Sequence, residues 1–206
     1  MSGLIKKFYF SKIIFNMKIY VVDNGGQWTH RQWRVLRDLG AETMIIPNNT
    51  PPEKINVNGL VLSGGAARIA WESVKLGMTG EYLDRANFPI LGICLSHQFM
   101  ALHFGGKAGP SGTPEFGKTE ISVLKDSPIF RDLPKKFIAW ESHNDEIKVL
   151  PKDFEIISSS ENCKIQGIQH KTKPFFGLQF HPEVEQTEFG NQIFRNFMDI
   201  CKEFKS

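Results

Sequence analysis

The sequence predicts an α/β fold: a mostly parallel central sheet with helices on both faces and an antiparallel or mixed β extension in the C-terminal half. Three observations carry that expectation. Short apolar runs alternate with helix-period stretches through the first half, the pattern of a parallel sheet wrapped by its own crossovers. After Gly106 the pattern changes to short β-like runs punctuated by Gly, Pro and Thr. The chain then closes on an amphipathic helix.

In chain order, Lys18–Val22 is the first strand, and Asp23-Asn24-Gly25-Gly26 is a turn by composition. Gln27 to Leu39 has helical spacing and ends at Gly40, a helix-stop residue. Thr43–Ile46 is the second strand, followed by a Pro/Asn loop from Pro47 to Pro52. Gly59–Leu62 is the third, with Ser63-Gly64-Gly65 a tight turn at its end. A helix around Thr79–Ala86 leads into Pro89–Ile93, a short apolar run bounded by proline that reads as a buried strand. Leu95, Phe99, Leu102 and His103 lie on one helical face, and Gly105-Gly106 stops that helix. The later β-like runs are Thr119–Leu124, Phe137–Trp140, Phe154–Ser158, Ile165–Gln169 and Phe175–Phe180. On the last helix, Phe189, Ile193, Phe197, Ile200 and Phe204 form a stripe expected to face the core.

The 206 residues, 41% hydrophobic and 23% charged, suit one globular domain with a sizeable core. The net charge of +3 is local. Lys6, Lys7 and Lys12 are unopposed by any acid in residues 1–16, so the remaining residues are neutral overall. No basic face suggests nucleic acid. Lys12 interrupts the apolar part of residues 1–16 and no small-residue cleavage site follows, which argues against a signal peptide. A clean strand pattern begins at Met17. The expected organisation is therefore an N-terminal extension, 1–16, and a domain, 17–206. No run reaches the ~18–20 apolar residues of a membrane span. Three cysteines without framework spacing point to a reducing compartment, the cytoplasm. Neither they nor the six histidines show the paired ligand spacing of a metal site.

In open α/β sheets the ligand crevice lies outside the carboxyl ends of the strands. Four polar turns fall there: Asp23–Gly26, Ser63–Gly65, Cys94, and His181-Pro182-Glu183. Cys94 stands between a strand and a helix, where an elbow holds a nucleophile above the sheet edge and a helix N-terminus stabilises a thiolate. The competing reading is a buried core cysteine. His143 and His181 lie at expected strand ends. Pro182 keeps His181 extended, so Glu183, two residues on, can lie on the same side and bind the second ring nitrogen. His181 is then a base for Cys94, and Glu183 its orienting partner. Taken alone, His-Pro-Glu also describes an ordinary turn. The N–H groups of Leu95 and Gly65 are candidate oxyanion donors.

Gly92-Ile93-Cys94-Leu95-Ser96-His97-Gln98, Ser63-Gly64-Gly65 and His181-Pro182-Glu183 together resemble the class I (triad) glutamine amidotransferases, in order and separation, across roughly residues 17–203. The resemblance implies a Cys94–His181–Glu183 triad that hydrolyses the side-chain amide of glutamine through a thioester and releases ammonia. It also implies that Gln98 helps bind glutamine, and that the backbone around His143 and Asn144 receives its amino-acid end. Val22–Gln27 and Trp140-Glu141-Ser142-His143-Asn144-Asp145 are most similar to the branch of the family that serves GMP synthesis. That branch implies a partner, a separate ATP-pyrophosphatase (synthetase) subunit, converting XMP to GMP. ATP and Mg are then expected in the partner, and no cofactor in this chain.

Two positions depart from the family. Glycine is usual where Ser96 stands, and proline where Ala66 stands. Ser96 is small enough for the elbow and implies only local repacking, whereas Ala66 is expected to loosen the turn carrying Gly65. The glutaminase of anthranilate or aminodeoxychorismate synthase is the alternative within the same chemistry, and Trp140–Asp145 disfavours it. A non-catalytic binding protein on this fold is the alternative outside it, and the intact Cys94, His181 and Glu183 speak against that.

Overall fold

The computed structural model describes residues 17–69 and 76–204. The expected extension, 1–16, lies outside the described residues. One nine-stranded sheet organises the chain. Its strands are β1 (Ile19–Asp23), β2 (Ile45–Pro47), β3 (Gly59–Leu62), β4 (Ile90–Ile93), β5 (Lys107–Val123), β6 (Lys136–Val149), β7 (Phe154–Ser159), β8 (Gly167–His170) and β9 (Phe175–Leu178). Across the sheet they run β2-β1-β3-β4-β9-β8-β7-β5-β6. The pairs among β2, β1, β3, β4 and β9 are parallel, and the four pairs from β9 to β6 are antiparallel. The sheet is thus parallel in one part and antiparallel in the other.

The helices cover both faces. α1 (Thr29–Asp38) and α4 (Gly190–Glu203) supply Leu36, Ile193, Phe194 and Phe197 to one core, against Ile19, Val21, Val61 and Leu91. α2 (Thr79–Arg85) and α3 (Leu95–His103) supply Tyr82, Leu83, Met100 and Ala101 to the other, against Val22, Leu60, Leu62 and Ile90. Neighbouring strand residues such as Val21 and Val22 enter opposite cores because side chains alternate along a strand. No helix among the described residues is long and apolar enough to cross a membrane.

Three expectations need correction. First, β5 and β6 are long strands rather than the short runs Thr119–Leu124 and Phe137–Trp140. Pro110, Gly112 and Pro114 suggest a break, but a register shift between Pro110 and Glu115 takes up the irregular segment while pairing continues on either side. Second, His143 therefore lies within β6 and not at a strand end. Third, the stripe on α4 is core only in its middle. Ile193 and Phe197 are fully buried, while Phe189 and Phe204, at the helix ends, are 45% and 37% exposed. Phe189 precedes the helix in a left-handed conformation that turns it away from the stripe.

Candidate active site

β4 and β9 are parallel neighbours in the register Gly92↔Gly177 and Ile93↔Leu178. Their carboxyl ends therefore stop side by side, and the residues just beyond them, Cys94 and His181, are brought together across a long stretch of sequence. Cys94 has φ 51° and ψ −105°, a conformation that L-residues rarely adopt. Its N–H still donates to the Leu178 carbonyl (2.7 Å), and its carbonyl accepts from the Gln98 N–H (3.1 Å). The strained residue is thus clamped between sheet and helix. Gly92 is required beneath it: a Cβ there would lie 3.0 Å from the Ser96 carbonyl oxygen. This is the elbow geometry the sequence suggested.

The His181 ring is oriented from several sides. Its Nδ1 lies 2.9 Å from Glu183 Oε1, so Nδ1–H donates to the carboxylate and Nε2 is left for the Cys94 sulfur, to which the ring is hydrogen-bonded. The Trp28 ring meets it edge-on, with centroids 4.4 Å apart. Its backbone N–H donates to the Trp140 carbonyl (2.9 Å). Burial disfavours the charged ring, but Glu183 and the Cys94 sulfur outweigh it and hold the imidazole pKa well above its ordinary value. β9 ends at Leu178, two residues earlier than expected, and the histidine–glutamate pair forms in the turn that follows.

A cavity of about 410 Å³ opens over this edge. The candidate catalytic, oxyanion and substrate-binding residues all line it: Cys94, Leu95, Gln98, His181 and Glu183 with Gly65, His143 and Asn144. Their parts differ. Gly64 packs on both His181 and Cys94, since a Cβ there would lie 3.4 Å from His181 Cε1 and 3.5 Å from Cys94 Cβ. Gly65 cannot be replaced without movement, because its Cβ would collide with Leu95 Cδ2 and lie 2.5 Å from the Asn24 carbonyl oxygen. Gln98 Nε2 donates to the Asp145 carbonyl (2.5 Å) and to Gln179 Oε1 (3.0 Å), which engages both of its amide protons. The His143 side chain turns away into the protein, where Nδ1 donates to the Asp145 carbonyl (3.0 Å) and Nε2 faces Glu115 (3.0 Å). Only Asn144 of that pair is exposed.

Other residues of the site were not singled out by sequence. Gln179 Nε2 points at the Cys94 sulfur from 3.6 Å. Gln32 Nε2 donates to Glu183 Oε1 (2.9 Å). The available signal for Gln32 was its place on the buried stripe of α1, one turn before Leu36, where a polar residue needs a buried partner. Arg68 grips Asp145 with two nitrogens, at 2.8 and 2.6 Å, and ties the glycine-turn segment to β6. Nothing in its sequence context announces that.

Behind β6, Glu115, His143 and Cys163 bring possible metal-ligand atoms within 4.8 Å of one another, a convergence that spacing did not suggest. Glu115 and His143 already bond each other, and Glu115 also accepts from Ser160 (2.7 Å) and Gln166 (2.7 Å). Burial pushes the Cys163 thiol up, away from the thiolate a metal needs. Burial and the nearby Glu115 push the carboxyl pKa of Glu141, fully buried alongside, well above the usual carboxylate range. Through Glu115, β5 is tied to β6 and to the segment between β7 and β8.

A nucleophilic sulfur, an oriented imidazole and two candidate N–H donors at one crevice are equipped for acyl transfer. Comparisons with known proteins agree in kind. The family model described as glutamine amidotransferase class-I matches residues 20–201. A protein of Thermoplasma acidophilum, named as a subunit of glutamine-hydrolyzing GMP synthase, is 54% identical over 190 residues, covering 92% of this chain and 95% of its own. One of the same name from Methanocaldococcus jannaschii is 43% identical over 187 residues, covering 89% and 97%. A crystal structure from Thermoplasma acidophilum, 54% identical, matches with a TM-score of 0.88 over 91% of this chain and 95% of that one.

Proposed function

Because this chain belongs to the class-I glutamine amidotransferases, we propose that it is the glutamine-hydrolysing subunit of a two-subunit GMP synthase and that Cys94, His181 and Glu183 carry its chemistry. It hydrolyses glutamine to glutamate and ammonia, and the ammonia goes to a synthetase subunit that converts XMP to GMP. The observation that carries the site assignment is the strained, clamped Cys94 beside a histidine already oriented by Glu183. Identity of 54% to a protein named for glutamine-hydrolyzing GMP synthase, over nearly its full length, supports the place in GMP synthesis.

In this reading the Cys94 sulfur attacks the amide carbon of glutamine and His181 holds the thiol proton. The tetrahedral oxyanion is received by the N–H groups of Gly65 and Leu95. His181 then gives its proton to the departing nitrogen, ammonia leaves, and a γ-glutamyl thioester remains on Cys94. Water activated by the same ring releases glutamate. Gln98 and the wall at His143 and Asn144 bind the substrate. The partner is an ATP-pyrophosphatase subunit, and ATP and Mg act there. All three cysteines are free in the structure, in keeping with the reducing cytoplasm as the compartment.

The test is steady-state glutamate release by the full chain, alone and with a GMP-type synthetase subunit supplied with ATP and XMP. The expected result is hydrolysis whose kcat rises with that partner and with no chorismate-using one. Hydrolysis stimulated only by an anthranilate-type partner would move the chain to the other branch.

A further inference from the structure

The two oxyanion donors of the proposed mechanism come from different turns. Leu95 belongs to the elbow after β4, and Gly65 to the turn after β3. Their usefulness depends on a fixed separation, so something must hold one turn to the other. Ser96 is built to do this. It is fully buried, next in sequence to Leu95, and donates its hydroxyl to the Ser63 carbonyl (2.5 Å). The same hydroxyl accepts from Asn24 Nδ2 (3.0 Å), and the Asn24 N–H donates to Ser63 Oγ (2.9 Å). Asn24 is anchored in turn, with Oδ1 accepting from Thr79 Oγ1 (3.1 Å) and Asn48 Nδ2 (3.2 Å). One hydroxyl therefore joins the turns after β1, β3 and β4.

We infer that Ser96 is a positioning residue that locks the Ser63–Gly65 turn to the elbow and so sets the spacing of the Gly65 and Leu95 N–H groups. The inference rests on the glutaminase reading and deepens it. It also replaces the expectation that Ser96 implies only local repacking, and it offsets the loosening expected from Ala66. Without the hydroxyl, the Ser63 carbonyl and the Asn24 amide lose a shared partner in a buried place, and the turn is free to shift to find others.

The test compares wild type with Ser96→Ala, and with Ser96→Gly as a second variant lacking the hydroxyl should the first not fold. Loss of a whole oxyanion donor costs ~10²–10³ in kcat, so misplacing one is expected to cost about 10- to 100-fold. KM is expected to stay within about two-fold, because the oxyanion exists only in the transition state. Alkylation of Cys94 by iodoacetamide, a displacement at carbon that forms no oxyanion, is expected to stay within about two-fold of wild type. Unchanged kcat in a folded variant would overturn the inference. A parallel fall in kcat and alkylation would also overturn it, by placing the damage at the nucleophile. Wild-type chain that releases no glutamate with or without its synthetase would overturn the functional reading itself, an outcome separate from both.

Discussion

Two groups raise the pKa of the His181 ring against its burial: the Glu183 carboxylate that orients it and the Cys94 sulfur. Glu183 is buried and accepts from both His181 and Gln32, so the proton on Nδ1 has one place to go. In the proposed mechanism it fixes the tautomer and stabilises the imidazolium, and takes no direct part at the substrate amide. Glu183→Gln keeps the shape and removes the charge. The expected outcome is a fall in kcat of roughly 10²-fold or more with a much smaller change in KM, and a milder loss than His181→Ala. Steady-state glutaminase kinetics of the two variants check this. A double variant is expected to be no worse than His181→Ala alone, since the pair acts as a unit. Wild-type kcat in Glu183→Gln would remove Glu183 from the assignment. His181 and Glu183 were legible in the sequence because a proline and a two-residue spacing fix their relation locally. Gln32 and Gln179 were not, because their partners are distant in sequence and only the sheet order brings them near.

At the scale of elements, α3 joins chemistry to stability. Its first turn carries Leu95 and Ser96 at the site, and its next residue, His97, packs onto β9. His97 is fully buried, and its Nε2–H donates to the Ile165 carbonyl (3.1 Å). Burial lowers its pKa to about 3. Between that value and ~6.5 the unfolded chain binds a proton that the native chain refuses. Stability is therefore complete above about pH 6.5 and falls as the pH drops toward the folded value, by on the order of 1–2 kcal/mol between pH 6.5 and 5. Denaturant titrations at pH 7 and pH 5 are expected to show that loss in wild type and a smaller one in His97→Gln, which keeps a donor for Ile165 and no titrating ring. Equal losses would show that other groups set the acid limb. The strand–turn–helix unit around Cys94 was readable because an apolar run, an abrupt change of period and a glycine stop all coincide there. The long β5–β6 pair was hidden because prolines and glycines at a bulge look like loop residues until the partner strand is seen.

Over the whole molecule, the parallel half of the sheet explains why the candidate site gathers at one edge. Parallel strands point their carboxyl ends the same way, so turns that are far apart in sequence converge. The antiparallel half then walls the cavity, with β6 offering Ser142 to Asp145 along one side. The α/β class and the convergence of turns were legible from element alternation. Of the wall, the sequence pointed only to His143 and Asn144, through the resemblance; how it is held was not legible, since His143 and Asp145 owe their places to pairing between β5 and β6 and to Arg68 from across the crevice. The central claim is that Cys94 attacks glutamine and carries a γ-glutamyl thioester. Its most direct test is to mix the full chain and its synthetase with glutamine, quench with acid during turnover, and locate the adduct by peptide mass spectrometry. The account expects a γ-glutamyl group on the peptide containing Cys94 and none in Cys94→Ala, which should fold but release no glutamate. An adduct on Cys163 or Cys201 instead, or glutamate release by Cys94→Ala at the wild-type rate, would contradict it.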